Sequence, residues 1–166
     1  GMRTDILVPV ACEPFDGVTV RLTLDGFSGG HSGVEIHEGH TNAIKAMGRL
    51  LRAVTHTYDF RLISLDGGGK DNAIPRSCEA TLIPLGINVE RLNDIAQQLQ
   101  SEIRESYDEP YAIVRGDNVD ALGGNALTTE CTAKVIALLN AAPNGVQTMS
   151  QDIEGLVQTS LNLGVV

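Results

Sequence analysis

Hydrophobic and polar residues follow two different periods in the first third of the chain. Over residues 18–24 they alternate, which predicts a strand with one buried face. Over residues 44–54 the apolar residues recur at helical spacing, with Lys45 on the polar side and Thr41 placed to cap the helix. A glycine-rich loop lies between the two segments, so the first predicted elements are a strand, a loop and a helix.

Hydrophobic periodicity predicts further strands and helices up to residue 116. Strands are predicted at 58–65 and Cys78–Leu85, a helix capped by Asn88 has its apolar stripe over 92–103, and a short strand follows at 111–115. The order strand, helix, strand, strand, helix, strand resembles the ferredoxin-like arrangement. We therefore predict an α/β (α+β) class and a ferredoxin-like two-layer sandwich, in which a mostly antiparallel sheet carries its helices on one face.

A further helix and strand follow this unit. The helix is predicted over Thr129–Ala141, where Pro143 and the residues after it stop it. In the strand, alternate residues over 157–165 share an apolar face, and the polar residues between them form the opposite face. We assign residues 2–116 to a ferredoxin-like lobe and residues 117–166 to the start of a second lobe.

Composition narrows the class of partner. The 166 residues are 42% hydrophobic and carry a net charge of −9, with no cluster of Lys and Arg to reverse that sign locally. Such a charge repels nucleic acid and anionic membrane surfaces, so neither is expected as a partner. No apolar run approaches the roughly 20 residues that span a bilayer.

The cysteines fit a cytoplasmic protein. Cys12, Cys78 and Cys131 are odd in number and far apart, which favours buried free thiols over a disulfide framework.

The segment GFSGGHSGVEIHEGH, residues 26–40, carries the first candidate chemistry. It contains ligand types suited to zinc, but its HEGH is one residue short of the HExxH motif, so a metal site here is the weaker interpretation. Glycines on both sides of His31 leave its imidazole free to project and to donate a hydrogen bond to an oxyanion. An exposed histidine without a role is the alternative.

Two other segments carry candidate binding groups. In NAIP, Pro75 stiffens the exit of a glycine-rich loop and fixes the position of Asn72, while the neighbouring Arg76 can pair with a carboxylate. In the last strand, Asn162 belongs to a polar face that either is solvated or lines a cleft. A loop-stabilising turn at Asn72 and a solvated Arg76 remain open.

Four stretches together resemble one enzyme family. GGHSGVEIHEGHTNAIKAMGRLL, LISLDGGGKDNAIPRSCEA, AAPNGV and VQTSLNLGVV are similar to segments of the aminoacyl-histidine dipeptidases, a family of co-catalytic zinc peptidases. In that family two zinc ions are held by a separate catalytic domain with an HxD motif and a Glu-Glu pair, and this chain contains neither. The resemblance therefore implies the lid and dimerisation domain of a cytoplasmic zinc-dependent Xaa-His dipeptidase, which binds no metal itself and is inactive alone.

The resemblance also assigns roles to residues. His31 matches the lid histidine that stabilises the oxyanion, and it acts either within its own subunit or in the partner's active site. Asn72 matches a residue that contacts the scissile carbonyl or the substrate carboxylate. Arg76, or Asn162 together with an arginine outside these 166 residues, is the expected carboxylate-binding group.

The expected partners are therefore a dipeptide substrate such as β-alanyl-histidine, the protein's own catalytic domain and a second copy of the chain. Two other functions stay open: a ferredoxin-like module that binds a small molecule, and a dimerisation module with no catalytic role.

Overall fold

A computed structural model of the chain describes residues 2–86, 88–119 and 123–166. Its elements in chain order are β1 (Cys12–Phe15), β2 (Thr19–Asp25), β3 (Gly30–His31), α1 (Ala43–Thr55), β4 (Asp59–Gly67), β5 (Ala73–Ile74), β6 (Cys78–Leu85), α2 (Val89–Ser106), β7 (Ile113–Val119), β8 (Gly124–Leu127), α3 (Thr129–Ala141), β9 (Gly145–Met149) and β10 (Val157–Leu161). A single 3-10 turn, Ile36–Glu38, lies in the glycine-rich segment. None of the helices in the described ranges is long and apolar enough to cross a membrane.

The predicted ferredoxin-like sandwich is confirmed. Four antiparallel strands form the main sheet in the order β4-β6-β2-β7, with β2 and β6 in the centre. In β2 the apolar residues turn to the buried face and Arg21 turns to solvent, as the alternation predicts. Val18, which the alternation also includes, lies before the strand and is exposed.

Helix α1 is the centre of the helical layer. It packs on β2, β4 and β6 and has α2 on one side and α3 on the other. The close approach of α3 requires a glycine at position 48, since a Cβ there would lie 2.8 Å from that of Leu139. The core between helices and sheet includes Leu22, Leu24, Phe27, Ile44, Met47, Leu50, Leu51, Leu62, Leu82, Leu92 and Ile103.

Lys45 does not project into water as the helical pattern suggests. Its ammonium group donates hydrogen bonds to the carbonyls of Leu139, Asn140 and Ala142, at 2.6, 3.0 and 2.6 Å. A cation at the carboxyl end of a helix satisfies carbonyls that have no partner within the helix. Burial of this ammonium lowers the pKa of Lys45, and the contact fixes α3 against α1.

The cap of α1 also differs from the prediction. Asn42, not Thr41, is the N-cap residue, and its Oδ1 accepts hydrogen bonds from the amides of Ile44 and Lys45. For α2 the predicted cap is confirmed, because the side chain of Asn88 accepts a hydrogen bond from the amide of Arg91. The predicted bounds of α3 and β6 agree as well.

The last predicted strand is wrong in length and in its buried face. β10 ends at Leu161 and pairs only with β9, with irregular register, in a two-stranded ribbon outside the main sheet. The apolar residues of this segment do not share one buried face: Leu161 is 45% and Val165 is 54% exposed, whereas Leu163 packs against the core. The thiol prediction is partly wrong too, since Cys78 and Cys131 are buried but Cys12 is exposed.

Candidate functional site

Two loops meet beside the amino end of α1, and both contain predicted site residues. The strand β3 of the first loop pairs with β5 of the second, so that His31 lies opposite Ala73 and Gly30 opposite Ile74. The amide of Ser32 donates to the carbonyl of Asn72 at 3.0 Å. The fold therefore places His31 and Asn72 at neighbouring positions of one small ribbon.

The imidazole of His31 is exposed and its two nitrogens differ. Nδ1 accepts hydrogen bonds from the amides of Gly33 and Val34, at 3.0 and 3.2 Å. A Cβ at position 33 would lie 3.2 Å from the ring, so a side chain there would require the imidazole or the turn to shift by a few tenths of an ångström. Because Nδ1 accepts, the proton of a neutral imidazole is on Nε2. His31 thus presents an N–H donor on the side of the ring away from its own loop.

Arg76 joins the second loop to the start of the first. Its Nε donates to the carbonyl of Phe27 at 3.1 Å, and the amide of Phe27 donates to the carbonyl of Arg76. The backbone at Gly29 passes over this side chain in a left-handed conformation, with φ of 69°, and a Cβ there would overlap the arginine stem. Part of the guanidinium is therefore engaged by the protein itself.

Asn162 lies close to the same ribbon. Its Nδ2 donates to the carbonyls of Ala73 and Asp71, at 2.8 and 3.4 Å, so it holds the backbone on both sides of Asn72. Its Oδ1 accepts from Asn42 at 3.3 Å. The structure brings Asn162 next to Asn72 through the backbone, while the side chain of Asn72 is exposed.

Asn42 connects the loops to α1 and to the carboxyl-terminal segment, and the sequence patterns did not single it out. Only 2% of its surface is exposed. Its Nδ2 donates to Asn144 Oδ1, to Asn162 Oδ1 and to the carbonyl of Leu163, at 2.9, 3.3 and 3.0 Å. The three asparagines are far apart in sequence, so no local motif marks them as one cluster.

Glu109 is the second residue that the sequence analysis missed. It precedes β7, and 1% of its surface is exposed. Oε2 accepts from the amide and the hydroxyl of Ser28, both at 2.8 Å, and Oε1 accepts from the amide of Thr41 at 3.0 Å. In the sequence Glu109 stands next to a second acidic residue, the exposed Asp108, and most acidic residues are exposed, so no local pattern marks Glu109 as the buried one.

The other histidines of the glycine-rich segment are held locally. His40 Nδ1 donates to the carbonyl of Gly29, and its Nε2 lies 3.3 Å from Glu38 Oε2, while His37 is exposed in the 3-10 turn. Within residues 2–86, 88–119 and 123–166, no three His, Cys, Asp or Glu side chains are grouped so that they could hold a metal ion. The donor set of the described residues does not fit zinc.

Comparison with known proteins identifies the family. Residues 22–110 match the peptidase dimerisation domain family. The chain is 40% identical over 163 residues to the cytosol non-specific dipeptidase of Escherichia coli (strain K12), covering 96% of this chain and 32% of that protein. Its structure is similar to that of aminoacylhistidine dipeptidase from Vibrio alginolyticus, with a TM-score of 0.83 and 34% identity over 94% of this chain and 32% of the other.

The chain thus spans about a third of the length of these two dipeptidases. The matched residues include the ribbon that carries His31 and Asn72, as well as α1 and α2. Fold, sequence and the order of elements agree, and the chain belongs to the peptidase dimerisation domain family.

Proposed function

We propose that this domain is the lid of a zinc-dependent dipeptidase and that His31 stabilises the oxyanion formed during hydrolysis of the substrate. The single observation that carries the proposal is the pair of backbone amides donating to His31 Nδ1. They leave the Nε2–H as the outward donor, which is the group an oxyanion requires. The similarity to two dipeptidases supports the class of reaction.

In the proposed mechanism, attack on the scissile carbonyl concentrates negative charge on its oxygen. His31 donates its Nε2–H to that oxygen, and the fixed turn at residues 31–34 means that the ring need not reorient as the charge develops. Two zinc ions, held by residues outside this chain, would supply the activated water. The described residues do not fit zinc, so no step is assigned to a metal in this domain.

We propose that Asn72, rather than Asn162, contacts the substrate amide or carboxylate. Asn162 Nδ2 already donates to the two backbone carbonyls that flank Asn72, which supports a role in fixing the loop. Arg76 uses its Nε on Phe27 and has its remaining guanidinium donors for a carboxylate. A dipeptide of the Xaa-His class is the proposed substrate, and the cytoplasm the proposed location.

The test of the lid function uses the full-length protein. His31→Ala is expected to lower kcat about 10²–10³-fold and to leave KM nearly unchanged, as for other oxyanion donors. Because the ring is exposed, the free energy of unfolding should change by no more than about 0.5 kcal/mol. His37→Ala is the matched control, since it removes another exposed histidine of the same segment. Full kcat in His31→Ala would refute the catalytic role and leave a dimerisation module.

A mixed-subunit experiment decides in which active site His31 acts. Subunits with His31→Ala are combined with subunits that are inactive at the zinc site. If His31 acts in the partner's active site, the mixed dimer recovers one working site. If it acts within its own subunit, the activity does not exceed that of the parents.

The third possibility, a small-molecule-binding module, predicts that this chain alone binds a dipeptide. Calorimetric titration of the 166-residue chain with β-alanyl-histidine tests it. We expect no saturable binding, because the lid supplies only one side of the site.

We further propose that the domain forms a homodimer along the face made by the end of α2 and the start of β7. Tyr107, Tyr111 and Ile113 expose apolar surface there, Tyr111 to 80%, and large exposed apolar residues in a group mark interaction sites. Tyr111→Asp should shift sedimentation towards the monomer, whereas Leu85→Asp, at an exposed apolar position elsewhere, should not. An unchanged dimer in Tyr111→Asp would exclude this face.

The assignment of residues 117–166 to a second lobe also stays a proposal. Ile136 and Leu139 of α3 belong to the same core as the sheet, and β8 pairs with β1. Any second lobe that begins here is therefore packed directly on the first.

A further inference from the structure

Glu109 is a buried carboxylate with no cation beside it among the described residues. A buried charge is normally paired with an opposite charge or coordinated to a metal, because removing it from water is costly. The salt bridges of the described residues do not include Glu109. Both of its side-chain oxygens instead accept hydrogen bonds, from the amide and hydroxyl of Ser28 and from the amide of Thr41.

These donors lie at the two ends of one loop. Ser28 stands before β3, and Thr41 stands immediately before the cap of α1, so the loop 28–41 leaves and returns at the same carboxylate. His31 is within this loop. A carboxylate is suited to this position because each of its oxygens can accept more than one hydrogen bond. Neither oxygen carries a proton that would itself need an acceptor.

The backbone immediately before Glu109 has an uncommon conformation. Asp108 has a left-handed conformation, with φ of 52°, and is the one non-glycine residue in the described ranges with a positive φ. Such a conformation is uncommon outside glycine and is kept where the surrounding structure requires it. The turn is closed by the amide of Ala112, which donates to the carbonyl of Glu109 at 3.1 Å.

We infer that Glu109 is a positioning residue that holds the His31 loop in the shape its chemistry needs. It touches neither His31 nor a substrate group; it fixes the loop ends, and the pairing of β3 with β5 then sets the orientation of the imidazole. The link from loop shape to turnover rests on the proposed function, but the link from Glu109 to loop shape does not.

Amide hydrogen exchange on this chain tests the inference directly. In Glu109→Gln the side chain keeps its size, but one acceptor becomes an NH₂ group that opposes the donors of Ser28 or Thr41. We expect the amides of residues 31–35 to exchange at least about tenfold faster, relative to the amides of α3. The free energy of local loop opening should fall, because opening no longer breaks hydrogen bonds to a carboxylate. Ser28→Ala removes one donor and retains the carboxylate. It should therefore also increase the exchange rates of the same amides, but by a smaller factor.

Thr132→Ala is the matched control for lost stability. Thr132 is also buried and its hydroxyl accepts from the amide of Leu62 at 3.1 Å, so this contact joins α3 to β4 and involves no residue of the loop 28–41. It should accelerate exchange in α3 and leave the loop amides near their wild-type rate, so that the ratio of loop to α3 rates falls, whereas Glu109→Gln should raise it. If Glu109→Gln changes loop and α3 amides in equal proportion, or leaves the loop amides at their wild-type rate, the inference is overturned. If Glu109→Gln does not fold, the loop amides of Ser28→Ala decide on the same criterion.

The full-length dipeptidase supplies a second readout. Glu109→Gln should lower kcat about tenfold and change KM by less than about threefold, while Thr132→Ala changes neither. Faster loop exchange with an unchanged kcat overturns the positioning role. If the wild-type protein hydrolyses no dipeptide, the proposed function fails, and the exchange experiment still decides whether Glu109 fixes the loop.

Discussion

The buried amide of Asn42 allows a sharp comparison between two helix caps of the same residue type. Asn42 caps α1 through two backbone amides, and its Nδ2 also reaches Asn144, Asn162 and the carbonyl of Leu163. Asn88 caps α2 through one amide and is exposed. Replacing each by Ala therefore removes a cap in both cases and a buried polar network in only one.

The expected loss of stability follows from these contacts. Removal of an asparagine N-cap costs about 1 kcal/mol, so Asn88→Ala should lower the free energy of unfolding by about 0.5–1 kcal/mol. In Asn42→Ala the carbonyl of Leu163 and the Oδ1 of Asn162 also lose a buried donor, at about 1–2 kcal/mol in addition. The total for Asn42→Ala is then about 2–3 kcal/mol.

Urea unfolding of the wild type and both variants measures the difference, with equal m-values as the condition for comparing them. The double variant Asn42→Ala/Asn162→Ala should lose less than the sum of the single variants, because the two side chains share a hydrogen bond. If Asn42→Ala falls within about 0.5 kcal/mol of Asn88→Ala, the buried contacts contribute nothing, and the account of this network is wrong.

Three further predictions concern groups outside this network. Thr41→Val should leave the free energy of unfolding unchanged or raise it, since the Thr41 hydroxyl is buried without a partner among the described residues; a loss above about 1 kcal/mol in thermal unfolding would contradict this. Burial, then two nearby carboxylates, raise the pKa of Cys78 to about 12, so its contribution to stability is complete below the unfolded-state pKa near 9 and is lost as pH rises towards 12. The wild type should therefore lose about 1.4 kcal/mol more than Cys78→Ala between pH 8 and 10, and parallel losses would refute it. Asn93 donates to and accepts from the backbone of Gly116 on β7, so Asn93→Ala should expose a strand edge and increase self-association in light scattering; no increase would show that the edge is protected by other means.

The sequence predicts those parts of the fold that depend on local patterns. α3 and β6 have the predicted bounds, and Asn88 caps α2, because periodicity and capping are properties of neighbouring residues. The choice between Thr41 and Asn42 as the cap of α1 is different. Both are polar and adjacent, and the partners that favour Asn42 lie about 100 residues away.

The same reason explains two of the other errors. Alternation over residues 157–165 predicts an apolar face but cannot say whether another layer covers it. β10 pairs with β9 outside the main sheet and Leu161 is exposed, while Leu163, after the strand, packs against the core. Lys45 is placed on the polar side of α1 by its spacing, yet α3 brings its carboxyl end to that side. Tertiary contacts decided both outcomes.

The candidate site divides into groups that act on the backbone and groups that face outwards. Asn162 and Glu109 use their side chains on carbonyls and amides of the two loops, and Arg76 uses its Nε in the same way. His31 is different, since the backbone amides of Gly33 and Val34 hold its Nδ1, and the proposed mechanism uses its Nε2–H. Flanking glycines single out the residue that faces outwards. The sequence marks Arg76 and Asn162 only as candidate binding groups and does not mark Glu109, so it does not identify the residues that hold the loops. Those come from three distant segments, and only their shared contact with the loops of β3 and β5 makes them part of the site.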